Sequence, residues 1–432
     1  MLKKIQIKGL FDRFDYDIEL KEGGLTILTG PNGYGKTTIL GTIHAIATNS
    51  QPFLSQLSFT EIAIIHNGET IRLRKDNDSP IPKLDNGKTT DKNKRDITLE
   101  EFLQSIQEED FNLEKLSQFL QNLRPPEEKK NNLSEIIDFA RDTGKILGFI
   151  GKLTDDKNGM KKGFYKEKIT DFVNCYFIRE QRLVRSFVDK DTSESFRNTI
   201  EEYAKELFNN IRAILAKASE IGQNLDGSFP ERLFNETGSI TEEEFDKRYD
   251  AIREKQNSLS RYGLSTIKEE RHPSFRAENA RALLVYLNDT EKKLAVFDEI
   301  LQRLDLFSSI LNKRQFVSKE IEISPEFGFQ FKIEDDSELP LAALSSGEQQ
   351  EVVLLYELLF RVAPNTLVLI DEPEISLHVA WQMEFLDDLL KIIELQKITV
   401  LVATHSPDII DKHEDLVVDL WDLDTGSREN RE

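Results

Sequence analysis

The sequence predicts an α/β fold: a mixed sheet with covering helices, interrupted by a long helical insertion. Three observations carry this. Residues 1–75 read as strand, strand, strand, helix, strand, strand, and after Phe316 strands and helices again alternate, the pattern of a parallel sheet with covering helices. Between the two ends, apolar residues recur at helical spacing from about Ser195 to Leu311. A glycine-rich segment, GPNGYGKT, joins the strand LTILT to a helix.

In chain order, Lys4–Ile7, Tyr16–Leu20 and Leu25–Leu28 alternate or run apolar and read as strands. Thr37–Ala47 has a helical pattern, and Glu61–Ile65 and Ile71–Arg74 read as a hairpin around Asn67-Gly68. Together these make an N-terminal lobe, 1–75. Residues 76–168 change texture: turn-formers and charges (DNDSPIPKLDNGKTTDKNKRD) precede short amphipathic helices and Pro125-Pro126, an insertion whose function the residues do not disclose. A return strand, Phe172–Ile178, and the loop after it occupy 169–190. The helical insertion fills 191–316, with interruptions near Gly222–Gly238 and Tyr262–Pro273. Its stripe of Leu283, Leu284, Leu287, Leu294, Phe297, Ile300, Leu301 and Leu304 lies on a helix of about forty residues. That suggests an antiparallel hairpin or coiled-coil arm; a compact helical lobe is the alternative. Residues 317–432 form the C-terminal lobe, with strands at 317–323 and 327–333 and a last one at Asp415–Leu420, so the two ends of the chain make one domain.

Composition narrows the function. With 31% charged and 38% hydrophobic residues the chain is of soluble globular type, and without eighteen consecutive apolar residues no membrane span is expected. The N-terminus enters a strand pattern with no signal-peptide apolar region. Cys175 is the only cysteine; it can form no internal disulfide, excludes a CxxC metal hook, fits a cytoplasmic setting and is expected to be a buried small apolar residue. A formal charge of −21 repels a phosphate backbone unless basic residues gather in one place. The clusters at Lys88–Arg95 and Lys152–Lys168 read as solvated loops, so unaided DNA binding is not the expected mode, although direct contact stays open.

Four motifs carry chemistry. Gly30, Pro31, Asn32, Gly33, Tyr34, Gly35, Lys36 and Thr37 fit GxxxxGK[ST], and Thr38 follows at the helix start. Glycines there let backbone N–H groups wrap a nucleotide's phosphates, and the helix N-terminus adds partial positive charge. Lys36 is placed to reach the β- and γ-phosphates of ATP, and the Thr37 hydroxyl to ligate Mg²⁺. Second, the apolar strand Leu367–Ile370 ends in Asp371, suited to the Mg²⁺ shell, and Glu372, suited to polarising the attacking water. The third motif is Leu344-Ser345-Ser346-Gly347-Glu348-Gln349-Gln350 before EVVLLYELLF, also an N-capped helix start. The fourth, Val402-Ala403-Thr404-His405-Ser406-Pro407, places a histidine at a strand end.

In chain order, phosphate loop, long insertion, LSSGE, apolar strand ending in Asp-Glu and late histidine, the motifs resemble the ABC ATPase superfamily, whose signature is LSGGQ; the glutamate at Glu348 is similar to the SMC-like branch. The resemblance implies an ABC-type ATPase head with a split nucleotide site. In it, Ser345 and Gly347 of one copy touch the γ-phosphate held by another, and His405 is the switch histidine. It places the glutamine loop at Tyr176–Leu183, where Gln181 would complete the Mg²⁺ shell and contact nucleotide; an ordinary solvated glutamine is the alternative. His378 departs from the aspartate of transporters. EPEISLH with Ala380-Trp381-Gln382 instead resembles prokaryotic anti-phage ATPases similar to the PARIS, Septu and OLD/Gabija groups.

That likeness implies a slow, Mg²⁺-dependent ATP hydrolase that pairs or oligomerises with itself. It would act as the sensor subunit of a defence system, answer a phage protein trigger, and control a separate effector, Toprim-like or another nuclease. The sequence runs only from His405 to Glu432 after the last motif, so no fused Toprim nuclease is expected, and the six histidines form no nuclease-like cluster. Two alternatives remain. An SMC-like DNA-repair or recombination ATPase has the missing hook cysteines and the acidic charge against it. A transporter nucleotide-binding subunit has Glu348, EPEISLH and the long insertion against it.

Overall fold

The computed structural model describes residues 2–48, 50–66, 69–75, 83–85, 174–179, 183–188, 194–265, 275–314, 316, 319–375 and 377–423. The chain divides into two units, Met1–Leu84 with Glu167–Glu432 and Asp85–Lys166. All of the second unit but Asp85 lies outside the described residues, as do nearly all of the expected insertion 76–168, both basic clusters and Gln181.

The sheet that organises the first unit is parallel. Its five strands are β3 (Leu25–Thr29), β7 (Cys175–Ile178), β13 (Leu367–Asp371), β14 (Thr399–Ala403) and β15 (Val417–Asp419), in the order β15-β3-β14-β13-β7. Strands β13 and β14 are buried at every position, as continuous apolar runs are when both faces are covered. Val368, Ile370, Val400 and Val402 join the core shared with the C-terminal helices. Alternate residues such as Leu369 and Leu401 point the other way, where helix α1 (Lys36–Ala47) packs across β13, β14 and β7. Each of these buried branched side chains contributes on the order of 1.5–3 kcal/mol. Strand β15 is shorter than the expected Asp415–Leu420, because Leu420 already begins a turn of helix, Leu420–Leu423.

An antiparallel sheet joins β1 (Leu2–Leu10), β2 (Phe14–Glu19), β4 (Glu61–His66), β5 (Glu69–Arg74) and β6 (Lys83–Asp85) in the order β2-β1-β4-β5-β6. The hairpin expected around residues 67 and 68 is seen in its arms, with His66 opposite Glu69. Its core face stacks Ile5 on Ile18 and Ile64, and Ile7 on Tyr16 and Ile62. A short helix, α2 (Gln51–Gln56), follows α1. Strands β8 (Val184–Val188) and β9 (Glu194–Asn198) pair with each other, and β10 (Lys319–Ser324), β11 (Gly328–Ile333) and β12 (Glu338–Leu339) form a third sheet.

The helical region departs from expectation in three ways. It opens with β9 rather than a helix. Helix α3 (Thr199–Asn235) runs unbroken for 37 residues through Gly222, Gly227 and Pro230, so the first interruption falls after Asn235. The carbonyl of Leu225 is taken by the Arg232 guanidinium, which also pairs with Asp289, and Lys293 reaches Asp226 at 2.6 Å. Those contacts hold the helix past its glycines. Lastly, the single helix of about forty residues expected from the apolar stripe is two, α5 (Ala280–Ala295) and α6 (Asp298–Lys313), broken where Phe297 turns into the core.

The ion pairs set directions. Partners 226 and 232 on α3 meet 293 and 289 on α5, so these helices run antiparallel. Helix α4 (Glu242–Ser260) runs parallel to α5 and α6, through Arg248–Glu291 and Lys255–Asp298. Burial on α3 stops at Ile211, and its root meets the head in a ring cluster: Tyr203 lies 4.5 Å from Tyr356, and Phe329 lies 5.8 Å from Phe307. The described residues thus join a hairpin-like pairing to a root packed into the head. Among them, no helix is long and apolar enough to cross a membrane.

Candidate active site

The parallel register brings the motifs to one edge. Asp371 pairs with Ala403, Ala403 with Leu28, and Asp419 with Thr29. The residues leaving the C-terminal ends of β3, β13 and β14 are therefore neighbours, in the crevice where open α/β sheets bind ligands. They are Gly30–Thr38, Glu372 and His405.

The phosphate loop is held from several sides. Gly35, the N-cap of α1, sits at φ 87°, and a Cβ there would lie 3.1 Å from the Leu10 side chain and 3.2 Å from Phe11. Gly30 has φ 138°, and a Cβ would lie 3.2 Å from Leu420. Both the left-handed backbone and the close approach call for glycine. Pro31, Asn32 and Gly33 are exposed at the tip. Tyr34 accepts a 2.8 Å hydrogen bond at its carbonyl from the Tyr16 hydroxyl, and the Thr38 carbonyl accepts one from Thr42.

Lys36 is 5% exposed. Its ammonium donates to the carbonyls of Gly30 at 2.7 Å and Pro31 at 3.3 Å and lies 3.2 Å from His405 Nδ1. Burial pulls its pKa below the ordinary lysine value, opposed by the carboxylates of Glu372, Asp371, Glu374 and Asp419. An ammonium can only donate, so Nδ1 of His405 is the acceptor and the ring proton sits on Nε2. That nitrogen faces Glu372 Oε1 at 3.9 Å. Glu372 itself has φ 44°, a strained setting for a non-glycine residue, pinned by its N–H donating to the Ala403 carbonyl at 2.9 Å.

The Thr37 hydroxyl donates to Asp371 Oδ1 at 3.1 Å, and Asp371 is 5% exposed. A hydroxyl and a carboxylate oxygen this close, beside a phosphate loop, form a hard-oxygen pair of the kind Mg²⁺ uses when phosphate oxygens supply further ligands. The donor set fits the metal.

Ser345 and Gly347 lie at the start of helix α7 (Ser346–Tyr356). Ser345 is exposed and caps the helix in a reciprocal box: the Glu348 N–H donates to its hydroxyl at 3.4 Å, and the Ser345 N–H donates to Glu348 Oε2 at 2.8 Å. The hydroxyl also donates to that carboxylate, at 2.9 Å. Burial works to raise the Glu348 pKa, but the hydrogen bonds from Lys319 and Ser345 overcome it and hold the carboxyl below its ordinary value.

Sequence reasoning missed three participants. Glu374 Oε1 accepts from the Thr404 hydroxyl at 2.8 Å and from the His405 N–H at 2.7 Å, bracing the histidine. Gln382 donates to the Leu377 carbonyl at 3.0 Å and accepts from the Ser406 hydroxyl at 2.7 Å, tying the loop after Glu372 to the histidine's neighbour. His378, whose role was open, caps helix α8 (Val379–Gln396) by accepting from the Ala380 N–H at 3.2 Å. An acid two residues after Glu372 was the available signal for Glu374. Cys175, expected to be buried, is half-buried, and burial pushes its thiol up to about 12.

Similar proteins were found at several levels. Over 87 residues the chain is 40% identical to the UvrABC system protein A of Clostridium acetobutylicum, a match covering 19% of this chain and 8% of that protein. Among solved structures, the Smc head domain of Pyrococcus furiosus, with an extended coiled coil and bound to the C-terminal domain of ScpA, aligns at TM-score 0.40 and 15% identity. That alignment covers 97% of this chain and 92% of the other. The SMC head domain of Thermotoga maritima aligns at TM-score 0.37 and 14% identity, over 97% and 94%. A family model matches residues 1–410, nearly the whole chain: the protein belongs to the AAA ATPase domain family.

Proposed function

We propose that this ATPase works as an ABC-type head whose nucleotide site is split between two copies, so that bound ATP clamps them together. The observation that supports it most is the division of labour. Lys36, the Thr37–Asp371 pair, Glu372 and His405 converge at one sheet edge, whereas Ser345 stands exposed at a helix N-terminus. In this reading Gly30–Thr38 wrap the phosphates and Lys36 neutralises β- and γ-phosphate charge. Thr37 and Asp371, with Gln181, would hold Mg²⁺, which when bound offsets charge on the phosphate oxygens. Glu372 accepts the proton of the attacking water, and His405, proton on Nε2, orients that water or the γ-phosphate. Ser345 and Gly347 of the second copy complete the shell, so association requires the γ-phosphate.

The test is Ser345→Arg. ATP should still bind, while ATP-dependent association on a sizing column is lost; unchanged association sinks the split site. At the level of biology we infer a cytoplasmic sensor subunit of an anti-phage system, triggered by a phage protein and controlling a separate nuclease-like effector. The likeness of LSSGE and EPEISLH to such ATPases supports this. An SMC-like repair or recombination ATPase is the second reading, favoured by the antiparallel α3–α5 pair rooted in the head. Co-purification from the native operon with mass spectrometry separates them, by recovering a Toprim-like or a repair nuclease.

A further inference from the structure

The phosphate loop has one aromatic side chain, Tyr34, and it does not point at solvent alone. Its ring lies between two others: Phe14 of β2, 5.0 Å between centroids, and Trp421, 5.6 Å. Trp421 comes from the short helix Leu420–Leu423 that packs on β2 and β3. Its approach is fixed by Asp419, whose Oδ1 accepts the Trp421 N–H at 2.8 Å, and by Leu420, fully buried against Gly30. Trp421 nevertheless remains 47% exposed. A half-exposed tryptophan adds little to a core, but its ring lies against the loop's aromatic side chain, Tyr34.

The glycines at 30, 33 and 35 give the loop its shape and leave it free to take others. Packing Tyr34 between two rings, with its carbonyl held by Tyr16, restricts that freedom before nucleotide arrives. We infer that Trp421 is a positioning residue for ATP binding: with Phe14 it clasps Tyr34 and presets the phosphate loop, and its own environment changes when the loop is filled. The inference rests on the phosphate loop alone, not on the split site.

The chain has two tryptophans, and Trp381 is engaged elsewhere, donating to the Arg314 carbonyl. In a Trp381→Phe background Trp421 is therefore the sole tryptophan reporter. Titration with Mg²⁺ and a non-hydrolysable ATP analogue should give a saturable emission change, with the midpoint equal to the dissociation constant from calorimetry; a silent Trp421 overturns the inference. In the otherwise native chain, Trp421→Ala should raise the dissociation constant and the KM for ATP by about threefold to tenfold, the range one aromatic pair supplies, with kcat held within about twofold. Trp421→Phe should restore both. An unchanged KM, a fall in kcat alone, or equal loss in the phenylalanine variant overturns the role, and this pair of variants decides even if Trp381→Phe fails to fold. If Ser345→Arg leaves association unchanged while Trp421→Ala still weakens binding, the split site falls and the clasp stands.

Discussion

In the proposed clamp the phosphate-loop edge and the signature end meet the same problem, binding a highly charged group, in opposite ways. At the phosphate loop the functional side chains already bond one another: Lys36 to two carbonyls and His405, Thr37 to Asp371. At the signature end Ser345 faces outward and its hydroxyl is occupied by its own helix's Glu348. The first is preorganised and needs ATP only to displace a few internal hydrogen bonds. The second caps its own helix, and in the proposed clamp its further role waits for another copy. On the proposed reading, a head that takes nucleotide alone but needs a second copy to close the site would be suited to act as a switch.

Removing the proton acceptor tests the first region most severely. Glu372→Gln keeps the shape and the backbone anchor to Ala403, so ATP affinity should hold while hydrolysis slows by roughly 100- to 10,000-fold. Steady-state phosphate release alongside equilibrium nucleotide binding measures both. Normal turnover would move the base elsewhere and erase the contrast. Lys36→Ala should weaken ATP binding by about 100-fold or more, since it removes a buried, multiply hydrogen-bonded cation facing the phosphates. Undiminished affinity in calorimetry would mean the loop binds by backbone alone.

The brace comes next. Glu374→Ala strips the acceptor from Thr404 and the His405 N–H, and kcat should fall about tenfold with KM little changed, the cost of one lost charged hydrogen bond to a positioned group. Glu374→Gln retains an oxygen acceptor and should recover most of the rate. A KM effect without a kcat effect would show that the histidine serves binding instead.

How much of this could be read in the sequence differs by region for physical reasons. The phosphate loop, Asp371–Glu372 and His405 were legible because backbone-dictated chemistry demands fixed residue types at fixed spacing, and parallel strands then bring their ends together without further information. Glu374 was not, because its role depends on a turn that folds Glu374 onto Thr404 and His405, about thirty residues away along the chain. The aromatic grip on Tyr34 was hidden likewise: Phe14, Tyr34 and Trp421 are adjacent only because β15 lies beside β3. In the helical region periodicity identified helices but not their ends. Gly222, Gly227 and Pro230 signal a break that tertiary contacts through Arg232 override, and the stripe through Leu294 and Leu304 conceals the turn at Phe297.

The smallest predicted effect sharpens the second region. Glu348 is held ionised by Lys319 at 2.6 Å, and an ionised carboxylate only accepts, so the single proton of the Ser345 hydroxyl is committed to it. If Ser345 is to donate to a γ-phosphate held by another copy, as proposed, that proton must leave Glu348, and the contact would then act as a weak latch against association. Glu348→Gln should loosen the latch by replacing the charged acceptor with a neutral amide oxygen and ending the ion pair with Lys319, lowering the ATP concentration at half-maximal association by about twofold to fivefold. Glutamine keeps the capping box in weakened, uncharged form, so the thermal midpoint should fall by about one degree, what about 1 kcal/mol costs in a chain of this length. Easier association in a slightly less stable head separates a latch from a mere cap. If stability falls and the ATP requirement stays the same or rises, Glu348 only starts the helix, and the signature serine is free before its partner arrives.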